Sequence, residues 1–148
     1  MKDLIEILQE VCDLNNLFFV YGKKQVLNLL DNRNKLNSSK IYLMLDVFKR
    51  KPQLTNGGKT IANTFTGSFF LVVNSNLDMP VYSEMANDVA RSKYIQNILP
   101  LLQIQEKIQK GFSCSGIEIQ QFDSVDCFDV FDNNKDGIVI DFSITIRI

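Results

Sequence analysis

The sequence contains no histidine and no tryptophan. Without histidine, the chain cannot build a Ser-His-Asp triad, a histidine-ligated metal site or a histidine general base. Any catalytic chemistry would have to come from carboxylates, lysines or the three cysteines. Long apolar runs are also missing, since runs such as 69–73 are far too short to cross a bilayer. We therefore predict neither a membrane protein nor a histidine-dependent enzyme.

Cysteine is scarce as well. Cys12, Cys114 and Cys127 are an odd number with no C-x-x-C spacing, which argues against a disulfide scaffold and against a structural zinc site. This usage fits a reducing compartment. A cysteine nucleophile without a histidine partner would need activation by a lysine. We interpret Cys12, on the apolar face of a predicted helix, as core filling.

The remaining composition is typical of a globular chain. It has 148 residues, of which 45% are hydrophobic and 22% charged, and a formal net charge of −1. A chain of this length buries about 68–70% of its unfolded surface, so we predict one domain, 1–148, that needs no metal, cofactor or disulfide for stability. Residues 1–10 carry acidic side chains and no small-residue cleavage site, so we expect neither a signal peptide nor an anchor there.

Hydrophobic periodicity predicts two helices. The first covers 3–14, and the second begins near Ser83, is broken or kinked by Pro100 and ends at Gly111. Strands are predicted where β-branched and aromatic residues alternate or run together, at 17–21, 41–49, 61–74, 115–122, 124–131 and 137–148. Lys51 and Pro52 are expected to end the second of these strands.

This order of elements predicts an α+β fold, in which a mainly antiparallel sheet packs against one long helix, with an N-terminal helix and long loops. The strands 41–49 and 61–74 are expected to pair as neighbours. The polar segment 22–40 is expected to form an extended basic loop or arm, with a short helix near 26–30.

One motif resembles the front of a calcium-binding loop. Asp132, Asn134 and Asp136 occupy ligand positions 1, 3 and 5, and Gly137 follows at position 6. Position 12 is Ser143 instead of a bidentate glutamate, and predicted strands flank the motif where an EF-hand has helices. A hairpin turn explains these residues better, and weak calcium binding at that turn is the alternative.

A second acidic group consists of Asp123, Asp126 and Asp129, with Asp141 opposite. Such carboxylates could serve as catalytic groups or as ligands of a hard cation. Strand periodicity places Asp123 and Asp129 on one face and Asp126 on the other. We therefore favour a solvated acidic surface that also discourages edge pairing.

The net charge of the chain is close to zero because a basic segment and an acidic segment offset each other. Residues 22–60 have nine basic and two acidic side chains, a net charge of +7, whereas residues 111–148 have two basic and seven acidic ones, a net charge of −5. The basic loops could contact nucleic acid, could meet the acidic surface of a second copy head to tail, or could be ordinary solvated loops. The candidate basic residues are Lys23, Lys24, Arg33, Lys35, Arg50 and Lys51, and the candidate acidic surface consists of Asp123, Asp126, Asp129, Asp132 and Asp136.

The element order resembles that of small tail-completion, tail-terminator and head-to-tail connector proteins of tailed bacteriophages. The likeness rests on the helix 4–14, the strand 41–48, the strand 65–73 followed by the helix 83–98, and the terminal strand GIVIDFSITIRI. The chain has 14 Asn, 15 Ile and 12 Lys against 4 Arg, a composition favoured by AT-rich codons, which would suit a phage of the crAss-like type. The long basic segment 22–39 departs from the family pattern and would be an inter-subunit arm or a lumen-facing loop.

The resemblance implies a structural virion subunit that forms a ring of six or twelve copies around a DNA channel, beside portal, connector or tail proteins. It brings no catalytic residue and no cofactor, and it implies assembly in the host cytoplasm without a membrane. Two alternatives stay open. One is a nucleic-acid-binding module that uses the basic 22–59 segment, and the other is an enzyme that uses carboxylates and a metal.

Overall fold

The computed structural model describes residues 3–22, 41–75, 79, 81–82, 92–130 and 135–148, with the backbone alone at 129 and 130. Five strands of these ranges form one sheet in the order β1-β2-β3-β5-β4. They are β1 (Phe18–Tyr21), β2 (Tyr42–Leu54), β3 (Thr60–Asn74), β4 (Glu118–Val130) and β5 (Lys135–Arg147). Only the β1–β2 pair of this sheet is parallel, so the predicted α+β fold with a mainly antiparallel sheet is confirmed.

The described residues include two α-helices beside the sheet, α1 (Leu4–Leu14) and α2 (Leu99–Cys114), and the π-helical turn Tyr94–Ile98 leads directly into α2. Pro100 was predicted to break or kink this helix, and the helix is irregular there: the π-helical turn ends at Ile98, and the α-helix begins at Leu99 with Pro100 in its first turn. Proline lacks an N–H and clashes with the carbonyl four residues before it. In the wider π turn the N–H of Leu99 binds the Tyr94 oxygen, five residues back, which gives the ring its space.

The predicted end of α2 at Gly111 was wrong. The helix continues to Cys114, and Gly116 takes the left-handed conformation that closes it, with a φ of 73°. Ile117 N then donates to Phe112 O over 3.1 Å, the six-to-one bond of a Schellman motif, and both side chains are buried. Asn16, with a φ of 54°, closes α1 in the same way. Each helix therefore turns directly into a strand, α1 into β1 and α2 into β4.

β2 is longer than predicted, since it runs through Pro52 to Leu54. β1 pairs with residues 42–45 of β2 only, so Pro52 lies where β2 has a described neighbour on one side, β3. Proline is tolerated in such an edge segment because its missing N–H costs no ladder bond on the open side. A β-bulge before Phe48 separates the covered part of β2 from this edge segment.

The predicted strands 115–122 and 124–131 are a single strand, β4. No turn interrupts it at Asp123, which pairs with Asp141 of β5. The predicted pairing of the 41–49 and 61–74 strands is confirmed by β2 and β3. Three predicted features lie outside the described residues: the arm 22–40 with its short helix, except for Gly22, the helix start near Ser83, and most of the Asp132 turn.

The helices cover one face of the sheet, which we call the helix face. Strict alternation in β5 buries every second side chain there, as the sequence predicts, and the shared apolar core includes Leu8, Phe65, Phe112, Ile140 and Ile144. The opposite outer face carries polar cross-strand pairs, such as Thr64 with Thr145 at 2.8 Å and Thr66 with Ser143 at 3.3 Å. Neither described helix is long and apolar enough to span a membrane.

Candidate functional site

Two of the candidate basic residues, Arg50 and Lys51, lie in strand β2 and not in a loop, which corrects the prediction for them. Lys49, Arg50 and Lys51 are consecutive exposed residues of β2. Pairing with β3 sets Lys49 and Lys51 on the outer face, opposite Thr66 and Thr64, and Arg50 on the helix face. The other candidates, Lys23, Lys24, Arg33 and Lys35, lie outside the described residues.

Arg50 is held in place from two sides. Its guanidinium contacts the Asp3 carboxylate at 2.7 Å, at the start of α1. The same group lies 5.8 Å from the ring centroid of Phe48 and 5.4 Å from that of Phe65, within the range of cation–π attraction. About half of the side chain is still exposed, so Arg50 stays accessible at the border of the helix face while Asp3 pairs with its charge.

On the acidic side, Asp123 and Asp126 are exposed residues of β4. Asp123 lies opposite Asp141 on the outer face, and Asp126 lies opposite Ile138 on the helix face, as the strand periodicity predicts. Gln121 Nε2 donates to the Asp123 carboxylate over 2.9 Å. Asp129 belongs to the backbone of the same strand, while its side chain and the whole of Asp132 lie outside the described residues.

Asp136 was wrongly assigned to the acidic surface, because its side chain is fully buried. Near the start of β5 it lies on the helix face, where Lys93 Nζ approaches its carboxylate at 3.9 Å and Asn97 Nδ2 donates to it over 2.8 Å. Both partners come from the chain that enters α2. Asp136, a calcium ligand only under the alternative interpretation of the turn, is thus engaged in an internal ion pair.

Charge of one sign is in excess at each of two sheet edges, although Asp3 pairs with Arg50 and Arg147 pairs with Glu118. Residues 48–54 of β2, which we call the basic edge, contain three basic and no acidic side chains. β4, the acidic edge, contains four acidic and no basic ones. Since β3 and β5 lie between them, the two edges are three strand spacings, about 14 Å, apart. Lys49 was missed as a candidate, although its spacing of two from Lys51 in a strand is a signal that the two share a face.

The described residues include few side chains that are arranged for catalysis. A surface groove of about 620 Å³ at the end of α1 contains Cys12 and Asp13 as its titratable groups. Burial, with a smaller contribution from the Asp13 charge, raises the pKa of the Cys12 thiol to about 12, so the thiol is protonated at neutral pH and fills the core as predicted. Within the described ranges, no group of three or more Cys, Asp or Glu side chains could hold a metal ion.

The described geometry therefore provides two surfaces of opposite charge on one sheet, with Lys49, Arg50 and Lys51 at one edge and Asp123 and Asp126 at the other. Such surfaces bind partners through charge and backbone pairing. Comparison with protein families, with curated proteins and with solved structures finds no match to this chain.

Proposed function

We propose that this chain is a structural virion protein that forms a homo-oligomeric ring at the neck or tail of a tailed bacteriophage. The observation that carries the proposal is the opposite charge of the basic edge and the acidic edge of one sheet. Two surfaces that differ within a copy and complement each other between copies make head-to-tail contacts. Such contacts close into a ring when the rotation between neighbours divides a full turn.

The place in a virion is supported by the order of elements, which resembles that of phage connector and tail-completion proteins. In that role the ring would have six or twelve copies, would adjoin portal, connector or tail proteins, and would keep the DNA channel continuous. The work of such a subunit is done by surfaces and not by a catalytic centre, so we propose no enzymatic activity and no cofactor.

The oligomeric state tests this proposal directly. Sedimentation of the purified 16.9 kDa chain over a range of concentrations is expected to give one species of defined multiple mass, with a ring in negative-stain images. Rising salt should shift this species toward monomer, since exposed charges beyond about 10 Å are screened at 0.1 M ionic strength. A chain that stays monomeric at every concentration and salt, also with its virion neighbours present, overturns the proposal.

Charge reversal identifies the surfaces. Lys49→Glu with Lys51→Glu is expected to weaken self-association at least tenfold, because like charges would then face each other across the contact. Lys107→Glu with Lys110→Glu, on the exposed side of α2, makes the same change in net charge away from both edges and should leave the association unchanged. Equal weakening by both variants would contradict an edge contact.

A second candidate function, nucleic-acid binding, is favoured by one observation. Lys49, Arg50, Lys51 and Lys59 are all exposed on the hairpin that β2 and β3 form. Phosphate contacts through these residues would make the affinity for duplex DNA fall steeply as salt rises. Binding by a monomer, lost in the Lys49→Glu/Lys51→Glu variant, would support this function over the ring, and the absence of binding at low salt would remove it.

A further inference from the structure

Both charged edges have room for a further strand in the described sheet, as has the outer side of the short strand β1. Residues 48–54 of β2 pair with β3 alone among the described strands, and β4 pairs with β5 alone. Each edge therefore presents a row of N–H and C=O groups that a further strand could bind. A partner strand for either edge must also match its charge.

The charges decide which strand can be added. Pairing two copies through their acidic edges would set Asp123 and Asp126 against the same residues of the second copy, and pairing two basic edges would do the same with Lys49, Arg50 and Lys51. Like charges opposite each other destabilise a strand pair. The combination that brings opposite charges together is the acidic edge of one copy with the basic edge of the next.

The strand directions allow this combination without inverting a copy. β4 runs opposite to β2 within the sheet, because β3 and β5 between them alternate in direction. A second copy in the same orientation, placed beside the acidic edge, would therefore present its β2 antiparallel to β4. Its helix face would lie on the same side as that of the first copy, so all copies of a ring could point the same way.

The irregularities of the two strands restrict the register. β2 is regular between its two register shifts, over residues 48–53, and β4 is regular over residues 121–127. Full overlap of these segments leaves two alignments, with Gln53 opposite either Gln121 or Phe122. Gln53 and Gln121 both lie on the outer face, whereas Phe122 lies on the helix face. Only the first alignment keeps the faces of the two copies matched.

This register brings the charges together. Lys51 lies directly opposite Asp123 on the outer face, and Lys49 lies diagonal to the same carboxylate. On the helix face, Arg50 lies diagonal to Asp126. Cross-strand neighbours at both positions are within reach of long charged side chains. Pro52 faces Phe122 and removes one backbone donor, so the ladder is short and depends on these charge contacts.

We propose that residues 121–126 of β4 of one copy pair antiparallel with residues 48–53 of the next copy, with Gln121 opposite Gln53, so that one sheet continues from subunit to subunit. The pairing stops there, and the bulged end of β4 bends away, because β1 of the next copy lies beside its residues 42–45. This inference rests on the self-association proposed above and specifies its contact. Each copy in a closed ring makes the contact twice, once at each edge, so a contact that is weak in an isolated pair can hold a ring.

Disulfide trapping tests the register while every charged residue stays in place. In a Cys114→Ser/Cys127→Ser background, Gln53→Cys and Gln121→Cys are made as separate variants, mixed and oxidised with diamide. We expect a covalent dimer from the mixture and much less from either variant alone. A chain that carries both substitutions should give a ladder of multimers, because the two positions lie three strand spacings and four residues apart within a copy, about 20 Å, beyond the reach of a disulfide.

Gln103→Cys, at an exposed position of α2, replaces Gln53→Cys as the control and should not cross-link to Gln121→Cys. If sedimentation shows a ring but the mixture gives no dimer, the strand pairing is overturned and the ring stands. If Gln121→Cys alone cross-links as well as the mixture, the contact is a two-fold one between acidic edges, and the pairing is overturned. A chain that neither cross-links nor self-associates overturns both proposals.

Discussion

Lys93 and Asp136 form an ion pair inside the protein, with 3.9 Å between Nζ and Oδ1 and side chains that are 3% and 0% exposed. Asn97 donates to the second carboxylate oxygen over 2.8 Å. Removing two charges from water costs several kcal/mol each, which the pair must offset through its mutual attraction and hydrogen bonds. The contact fixes the chain that enters α2 against the start of β5.

Breaking this pair should be far more costly than removing an exposed carboxylate. Asp136→Asn would leave the Lys93 charge buried without its counter-ion, so we expect a loss of about 3–5 kcal/mol in the free energy of unfolding, measured in urea. Asp126→Asn, on the exposed part of β4, is the matched control and should change stability by about 0.5 kcal/mol or less. Lys93→Met with Asp136→Leu should cost less than Asp136→Asn alone, and strict additivity of the single changes would contradict the pairing.

Substitutions at two glycines distinguish the effect of close packing on stability from the effect of helix propensity. A Cβ at Gly137 would collide with the Leu71 carbonyl oxygen and lie 2.8 Å from Val72 Cγ1, so Gly137→Ala is expected to cost about 1–3 kcal/mol. At Gly111, an exposed position inside α2, a Cβ would meet nothing within 4 Å, and Gly111→Ala should gain about 0.5–1 kcal/mol. Thermal unfolding of both variants checks the opposite signs. Two shifts in the same direction would contradict the packing at Gly137.

Much of the fold follows from local pattern. β5 was predictable because burial on one face leaves apolar residues at every second position, as at Ile140, Phe142 and Ile144. The uninterrupted length of β2 and β4 was harder to predict, because it depends on contacts between strands that are distant in sequence. Pro52 ends a strand by rule, but it is accommodated here since its segment of β2 lies beyond the residues that β1 covers.

The sign of each charged surface was predictable from the sequence, but its position in the fold was not. The excess of basic residues in one segment and acidic residues in another is visible in the sequence. Their positions at opposite sheet edges depend on the strand order, in which the last strand, β5, inserts between β3 and β4 and leaves β4 at the edge. The burial of Asp136 depends on Lys93, 43 residues away in sequence, so no local pattern distinguishes it from Asp126.

The residues that end the two described helices adopt the left-handed backbone conformation. Substitutions there measure the cost of backbone strain without a change in packing. Gly116 has a φ of 73° and open space around it, so Gly116→Ala is expected to cost about 1–2 kcal/mol through backbone strain alone. Gly116→Asn should cost less, because asparagine tolerates this conformation, as it does at Asn16 of α1. Urea unfolding of the two variants gives the order. A larger loss for asparagine than for alanine would contradict the role of the Schellman turn.

The Cys12 thiol should make stability depend on alkaline pH. Burial first, and the Asp13 charge second, raise its pKa from 9.0 to about 12. Between these values the unfolded chain has lost a proton that the native state keeps, so this contribution to stability is complete below pH 9 and falls as pH rises toward 12. One group gives a slope of about 1.4 kcal/mol per pH unit.

Cys12→Ala removes the pH-dependent contribution of the Cys12 thiol to the free energy of unfolding. The variant should be less stable than the parent at pH 7, because a buried side chain becomes smaller. The difference should shrink above pH 9, since only the parent loses stability through Cys12. Urea unfolding of both proteins at several pH values from 7 to 10.5 measures the convergence, with Cys114→Ala as the control for loss of an exposed thiol. Parallel curves for Cys12→Ala and the parent would mean that the buried thiol ionises with the same pKa in both states.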